Sequence, residues 1–511
     1  MATRRDELSA HTFARKRTLA AFLQPESRVS DEEAPRPVRA MMPSMVMSVV
    51  LVAGFVAWGA IKPSAPKGWD EPGKHIIVDS KSTTRYVVLP KSKKDKEGQL
   101  HPVLNYASAK LVLDKGKGEV IEVGGEDIDK SSIARGATVG IPYAPDRLPD
   151  PKDAGVPKEW AVCEKPGAKS GGEPQRGVFV MGGQDKNTLK NKNRLKDGEG
   201  LYVEDSETGD QYVIDGRGTK LMLGGPEGKR QTANRDLLAE LVLGSKAGQP
   251  QPVTTQWLDT FNEGEPITFE AIGAAAAGGP ASFSGVMEIP ADARQIGTVL
   301  KSEAAGTSSY YVVMKTGVQR TSPLVAKLMM GATELNQTKP VSVTPREAAA
   351  GGANSQTVRG GKGWPEDVLK PVNRKSDSIN GTSRTVSCSV YTGKMKDGRP
   401  KLAAWAGSDY PANLVDGSAS AYVSSGSGLL FREVSGQGGG GTQYLMTDSG
   451  LRYALASGGG GQQGGAEAEK GARARLGYEK TKLSQVPHNW ASLIPKGPAL
   501  DPKDASQEQG L

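Results

Sequence analysis

Cysteine, histidine and aromatic side chains are scarce in this 511-residue chain, and each shortage closes off a class of function. There are 2 cysteines and 4 histidines, and aromatics make up 5% of the residues. His11, His75, His101 and His488 are scattered along the chain, so no Cys–His set with metal-ligand spacing is expected. Neither H-E-x-x-H nor a G-x-S-x-G elbow occurs. A G-x(4)-G-K-[ST] phosphate loop is also missing, since Gly228-Lys229-Arg230 lacks the hydroxyl that would ligate magnesium. Gly436, Gly438 and Gly441 satisfy G-x-G-x-x-G, but inside a glycine run that leads into an expected strand at Gln443–Thr447. A dinucleotide needs a helix N-terminus there for its pyrophosphate. No aromatic interleaves the basic stretch Lys186–Lys196, and Lys91–Lys96 reads likewise as a solvated loop rather than a nucleic-acid or wall-polymer site. The net charge of +8 is spread along the chain. Carboxylates are plentiful, but sequence cannot pair them. Thus no catalytic, cofactor or metal residues are expected.

Long hydrophobic runs are missing too, with one exception. From Met41 to Ile61 no residue is charged. As a helix this run is about 31 Å long, enough to cross a hydrocarbon core of about 30 Å. Arg36 and Arg39 precede it, Lys62 and Lys67 follow it, and Trp58 stands where an interfacial aromatic would. A core helix would not need those cationic flanks. A cleaved signal peptide would have an apolar stretch of about 7–15 residues and a shorter leader. A retained single-pass anchor is the reading adopted. Local lysine and arginine counts do not orient it, but long domains translocate largely regardless of charge. The basic head, densest at Arg15-Lys16-Arg17, is placed in the cytoplasm and the large remainder outside.

The head itself reads as a helix that docks on a partner or on the membrane surface. Leu8, Leu19, Phe22 and Leu23 share one face, Lys16 and Arg17 lie off its centre, and Arg15 interrupts it. A disordered basic tail is the alternative.

With 65 glycines and 33 prolines, the exported part is expected to consist of β-rich modules joined by loops. Cys163 and Cys388 can form one intramolecular pair in an oxidising compartment, or remain two separately buried thiols. A bridge would close a loop of about 225 residues, worth on the order of 5 kcal/mol through the denatured state. Internal similarity comes next. Tyr202-Val203 leads through a turn at Thr208-Gly209 to Tyr212-Val213; Tyr444-Leu445 leads through Ser449-Gly450 to Tyr453-Ala454. Looser copies run from Ile76–Asp79 to Arg85–Val87 and from Tyr310–Val313 past Gly317, where Arg320 replaces the second tyrosine. A further pattern, V-x(3)-W-x(6)-G-x(2)-[IL], places Val253, Trp257, Gly264 and Ile267 in step with Val486, Trp490, Gly497 and Leu500. Short helices are expected at Arg235–Leu243 and Lys482–Leu493. Gly273–Gly285, Gly351–Gly363, Gly436–Gly441 and Gly458–Gly465 read as flexible loops.

The resulting fold class is α+β: one N-terminal transmembrane helix, then four small repeat modules around a β-rich central domain. The expected divisions are head 1–40, anchor 41–61, first module 62–150, centre 151–195, second module 196–275, third module 276–375, centre again 376–435, fourth module 436–500 and a frayed tail 501–511. The expected repeat signature is Tyr202, Gly209, Tyr212, Trp257, Tyr444, Gly450, Tyr453 and Trp490.

Taken in order, these residues resemble the EccB family, the single-pass membrane subunit of actinobacterial type VII (ESX) secretion systems. The resemblance runs from Arg5-Asp6, His11, Phe13 and Arg15–Arg17 through the apolar run to Leu104-Asn105-Tyr106-Ala107-Ser108-Ala109. It continues through Gly140-Ile141-Pro142, Ala144-Pro145-Asp146 and Leu148-Pro149, then Trp160-x-x-Cys163, Cys388 and Leu493-Ile494-Pro495-Lys496-Gly497-Pro498. It implies an assembly subunit of an inner-membrane export complex. The implied partners are EccC, EccD and EccE, membrane lipid and further copies of the chain, with small WXG-type proteins as cargo and no nucleic acid. It also implies four repeats around a disulfide-bearing centre. Some members carry an ATPase label, for which the residues give no physical support. Two other classes remain open: a cell-wall-binding receptor, and a membrane-anchored or ATP-binding hydrolase.

Overall fold

A computed structural model describes residues 4–23, 37–61, 65–91, 98–167, 172–227, 232–245, 247–332, 335, 337–352, 357–374, 384–396, 398–414, 421–435, 441–455 and 471–509; within 37–61, side chains are described for 42–57. The chain forms two compact units, residues 1–69 with 123–131, and residues 70–122 with 132–511.

In the first unit, Arg4–Leu23 forms a helix whose side chains are all exposed. Pro37 opens a second helix that runs to Ile61. Proline suits a first helical position because its missing N–H would be unpaired there anyway. Pro43 lies inside this helix, and the large apolar side chains from Met42 to Val56 are exposed. Among the described residues no helix is long and apolar enough to cross a membrane. Trp58 and the flanking Arg36, Arg39 and Lys62 have no described side chains. A short helix at Gly125–Lys130 carries a Glu126–Lys130 pair one turn apart.

Among its described residues the second unit holds five sheets. The strands are β1 (His75–Asp79), β2 (Arg85–Pro90), β3 (Gly98–Pro102), β4 (Glu119–Val123), β5 (Ala134–Arg135), β6 (Glu159–Lys165) and β7 (Gln175–Met181). They continue as β8 (Glu199–Asp205), β9 (Gln211–Asp215), β10 (Thr219–Met222), β11 (Gln251–Val253), β12 (Asn262–Glu263), β13 (Val299–Ala304), β14 (Thr307–Met314) and β15 (Gly317–Thr321). The rest are β16 (Val341–Val343), β17 (Thr357–Val358), β18 (Lys370–Pro371), β19 (Val386–Lys396), β20 (Arg399–Gly407), β21 (Ala421–Val423), β22 (Leu429–Val434), β23 (Gln443–Met446), β24 (Arg452–Ala454) and β25 (Ser484–Pro487).

Four of the sheets share one strand order. Three are ordered β4-β1-β2-β3-β5, β11-β8-β9-β10-β12 and β16-β13-β14-β15-β17; the fourth is β24-β23-β22-β25. In each, three strands run as a meander, and the fourth lies on the outer side of the first. The fourth is parallel to the first in the latter three sheets. A fifth stretch lies parallel to the third, supplied in the last sheet by bridges from Arg452 to Lys496 and Leu455 to Leu500. Parallel partners need a crossover. The helices Thr232–Leu243 and Pro323–Met330 provide it in the second and third sheets. The fifth sheet, β20-β19-β6-β7-β21, draws its strands from two segments far apart in sequence.

This topology corrects the alignment expected from the tyrosine hairpins. Tyr202–Tyr212 spans β8 and β9, the first hairpin of its meander. Tyr444–Tyr453 spans β23 and β24, the second hairpin of its own. The residues that share a topological position are Tyr86, Tyr212, Tyr311 and Tyr444, each in a second strand and each followed by a fully buried Val or Leu: Val87, Val213, Val312 and Leu445. Local hairpin chemistry, a positive-φ glycine before a tyrosine, occurs at both turns of such a meander; Gly209 and Gly450 have φ of 73° and 77°. That is why the hairpin pattern could not tell the two apart. The tryptophan pattern does keep its place: Val253 and Val486 lie in fourth strands, and helices Thr255–Leu258 and His488–Ala491 follow.

Other boundaries move as well. β22, expected in the centre, pairs with β23 and β25 of the fourth sheet. The segment 482–493 opens as strand β25 before its helix. The tail is packed through residue 509, not frayed there: Ala505 is fully buried in the helix Pro502–Ala505, and Gln509 N donates to Thr138 O at 2.7 Å. The stretch 273–285 is a chain of short turns with Ala274 buried. Gly458–Gly465 and, of the basic stretch Lys91–Lys96, all but Lys91 lie outside the described residues.

Candidate functional site

Several buried cores hold the second unit together, and two of them flank the second sheet. One core joins central strands (Trp160, Val162, Val178, Val180, Tyr391, Ala404) to faces of the second and fourth sheets, including Val203, Trp257, Phe431 and Trp490. Trp257 Nε1 donates to Val162 O at 2.8 Å, and Trp490 Nε1 to Thr260 O at 3.2 Å. Tyr391 packs on Trp490 with ring centroids 5.7 Å apart, and its hydroxyl donates to Gln485 O at 2.7 Å. Burial pushes the Tyr391 phenol well above its ordinary value, so the ring stays neutral. The tryptophans therefore mark the two sheets that pack on the centre. The opposite face of the second sheet meets the third sheet through Tyr202, Val213, Val242, Val299, Val312 and Leu328.

Cys163 and Cys388 are bonded to each other and fully buried. They sit directly opposite on antiparallel strands β6 and β19, with Cα atoms 4.0 Å apart. The bridge closes a 225-residue separation that contains the whole second and third sheets. Each cysteine has a polar neighbour in a buried network that ties the centre to the second sheet. Glu164 accepts from Thr254 N at 2.8 Å and Thr254 Oγ1 at 2.6 Å. Ser387 Oγ donates to Gln251 Oε1 at 2.8 Å, and Asn373 Nδ2 to the same oxygen at 3.1 Å. Asn373 also brackets the Tyr202 backbone, accepting from its N–H at 3.0 Å and donating to its carbonyl at 2.9 Å. Burial raises the Glu164 carboxyl, opposed by those Thr254 bonds and by Arg176, whose Nη1 lies 4.0 Å away.

One other cluster has the residue types of a catalytic site. Glu433 takes Arg452 Nη1 at 2.9 Å on one oxygen and contacts His488 Nδ1 with the other. Arg452 is almost fully buried, donates Nε to Ile494 O at 3.0 Å and lies 4.7 Å over the Tyr444 ring. These contacts tie β24, β22 and the helix His488–Ala491 together, with Glu433 held between Arg452 and His488. In a depression lined by Lys115, Arg475 and Glu479, Lys115 bonds Glu479, and Arg475 Nη1 donates to the carbonyls of Leu111 and Leu113 at 3.0 and 2.8 Å. Among the described residues no three His, Cys, Asp or Glu side chains are placed to hold a metal ion.

Of the expected site residues, Arg5, His11, Phe13, Arg15, Lys16 and Arg17 all lie on the exposed helix Arg4–Leu23. On the same helix Leu8 is 73% exposed and Phe22 89% exposed. Tyr202, Tyr212 and Trp257 serve the second sheet; Tyr444, Tyr453 and Trp490 serve the fourth. They build cores and do not converge on one site. The polar network around Gln251 and Asn373 had no sequence signal, because its members come from distant segments without spacing.

The chain is 24% identical over 525 residues to a Mycobacterium tuberculosis (strain ATCC 25618 / H37Rv) protein named ESX-3 secretion system ATPase EccB3, covering 98% of this chain and 88% of that one. It is 28% identical over 351 residues to the ESX-5 secretion system ATPase EccB5 of the same organism, covering 68% and 62%. Its fold is similar to a chain in the structure of an intact ESX-5 inner membrane complex, with a TM-score of 0.59, 23% identity and coverage of 100% and 96%. It is also similar to the EccB3 dimer from the ESX-3 core complex, with a TM-score of 0.58, 23% identity and coverage of 84% and 99%. The family model described as "Type VII secretion system ESX-1, transport TM domain B" matches residues 1–511, and the chain belongs to that family.

Proposed function

We propose that this chain is a single-pass membrane subunit of a type VII secretion inner-membrane complex, acting by assembly rather than by catalysis. The observation that carries the reading is the family match over residues 1–511, which takes in the exposed head helix, the apolar helix and all five sheets together. The apolar residues of 41–61 would cross the bilayer, the head would remain cytoplasmic, and the disulfide-bearing unit would lie outside. Four sheets with one strand order are read as four repeats of an ancestral module arranged about the central sheet. EccC, EccD and EccE would be its partners, together with lipid and further copies of itself; the relatives' structures are of a membrane complex and a dimer.

The relatives carry ATPase in their names. The scaffold reading rests instead on the missing phosphate loop and on the scarcity of nucleoside triphosphates outside the cell. Protease added to intact protoplasts should remove the large unit and leave a membrane-held fragment of about 60–80 residues, set by a span of about 20 residues after the head. Protection of the large unit until lysis would invert the topology and sink the proposal.

A further inference from the structure

The far end of the β19–β20 hairpin carries charge that the fold leaves unanswered. β6 pairs with β19 only as far as Tyr391, so beyond it β19 and β20 run on as a two-stranded ribbon. Asp397-Gly398 joins the strands, the sequence of a two-residue hairpin loop, and Gly398 has the positive φ, 73°, that such a loop needs. Asp397 itself lies outside the described residues. Residues two apart on a strand share a face. Met395, opposite Pro400, turns inward and packs against the core, and Pro400 O accepts from Asn262 Nδ2 at 3.5 Å. Lys394, Lys396, Arg399 and Lys401 take the other face, and all four are exposed.

Among the described residues none of these four side chains has an ion pair or a hydrogen bond. Other cations of the same unit are matched: Lys115 with Glu479, Lys158 with Asp153, Arg217 with Asp215. Lys396 and Arg399 are moreover direct cross-strand partners, and like charges placed opposite each other destabilise a strand pair. The ribbon is nonetheless firmly placed. Thr392 Oγ1 donates to Lys401 O at 3.0 Å, and Gly393 lies so close to the chain at 158 that a Cβ there would come within 2.4 Å of Lys158 O. β20 is an edge strand, and Pro400 on it has no N–H to offer an added strand. Edge lysines also guard a sheet against stray pairing, but that role does not call for two cations facing each other.

We propose that this face docks an extended acidic segment of another polypeptide, held by carboxylate–cation pairs. The inference goes beyond the assembly reading, which names no surface on this chain. Charge complementarity fixes the sign of the occupant, because four unpaired cations stand together with no acid between them on that face. Spacing fixes its form. The cations repeat at about 7 Å along each strand and about 5 Å across the ribbon. Carboxylates at alternate residues of an extended chain repeat at that same distance of about 7 Å. Three of the four cations are lysines, which act as point charges, whereas phosphate recognition favours the bidentate fork of arginine. No aromatic stands on this face to stack a base. Four cations on an exposed ribbon do not enclose a small ion, so the ligand is polyvalent.

The test uses the full-length chain in detergent and a fluorescent oligoglutamate peptide as probe, read by anisotropy at about 0.15 M salt, with thermal unfolding run in parallel. Lys394→Glu with Lys401→Glu should raise the dissociation constant about tenfold or more, as charge reversal at a complementary face does. Lys396→Glu should also weaken binding while holding or raising the melting temperature, since it turns a like-charge pair with Arg399 into an opposite one. Lys117→Glu with Lys480→Glu, in the basic depression elsewhere on the unit, should bind the probe like wild type. Equal weakening by that control makes the binding a response to charge anywhere and overturns the proposal. So does a wild-type chain that ignores the probe, or hairpin variants that bind it unchanged. A lowered melting temperature for Lys396→Glu makes the cations structural and overturns it as well. Tighter binding of inorganic polyphosphate of matched charge, lost in the same hairpin variants, overturns the carboxylate assignment. None of these results bears on whether the chain assembles with other secretion subunits.

Discussion

Glu164 has no exposed side-chain surface, yet it bonds Thr254 and faces Arg176 and Asp205. Because burial raises its folded-state pKa above the ordinary value of 4.5, the native state holds this proton more firmly than the unfolded chain does. Its contribution is fully present below pH 4.5 and is lost as pH rises through the raised pKa. Glu164→Gln should therefore flatten that part of the stability–pH curve. Urea midpoints should place the variant more favourably against wild type at neutral pH than at pH 4. A wild-type slope retained in the variant assigns the dependence to another group. The tryptophans offer a second test at this scale. Trp490→Ala empties a fully buried site between the fourth sheet and the centre, and denaturant unfolding should register a loss of about 3–5 kcal/mol. The tryptophan spacing was legible because Val253 and Val486 both end the buried edge that leads into a short helix. Tyr86, Tyr212, Tyr311 and Tyr444 were just as informative, but hairpin chemistry shared by both turns of the meander hid their equivalence.

At the scale of elements, the disulfide pins β6 to β19 and closes the loop that holds the second and third sheets. Reduction should lower the stability of the large unit by about 2–5 kcal/mol, seen as a shift in urea midpoint with and without reductant. An unchanged midpoint means that β-sheet pairing alone holds the centre. The central sheet was the least legible element. Pairing between strands more than two hundred residues apart leaves no periodic mark, and only the cysteines hinted that 163 and 388 meet. The helix Arg4–Leu23 was legible from its residues, and none of its side chains is buried. Removing residues 2–24 while keeping Arg28, Arg36 and Arg39 should impair assembly of the complex without changing the unfolding of the large unit. A truncated chain that inserts and assembles at wild-type yield would leave the head as a tail that serves topology only.

Across the whole molecule, five sheets among the described residues are joined by shared cores. The second and fourth sheets face the centre through tryptophan, the third packs on the second, and the helix Tyr106–Val112 that follows β3 packs on the fourth, with Leu111 beside Leu430, Leu445 and Tyr453. The proposed role makes this chain an assembly subunit of the type VII secretion membrane complex. Mild-detergent purification of the tagged full-length chain from its own cells, with the accompanying chains identified, tests it most directly. EccC, EccD and EccE should come down with it in one large assembly; a chain that purifies without them from cells that make all three would contradict the account.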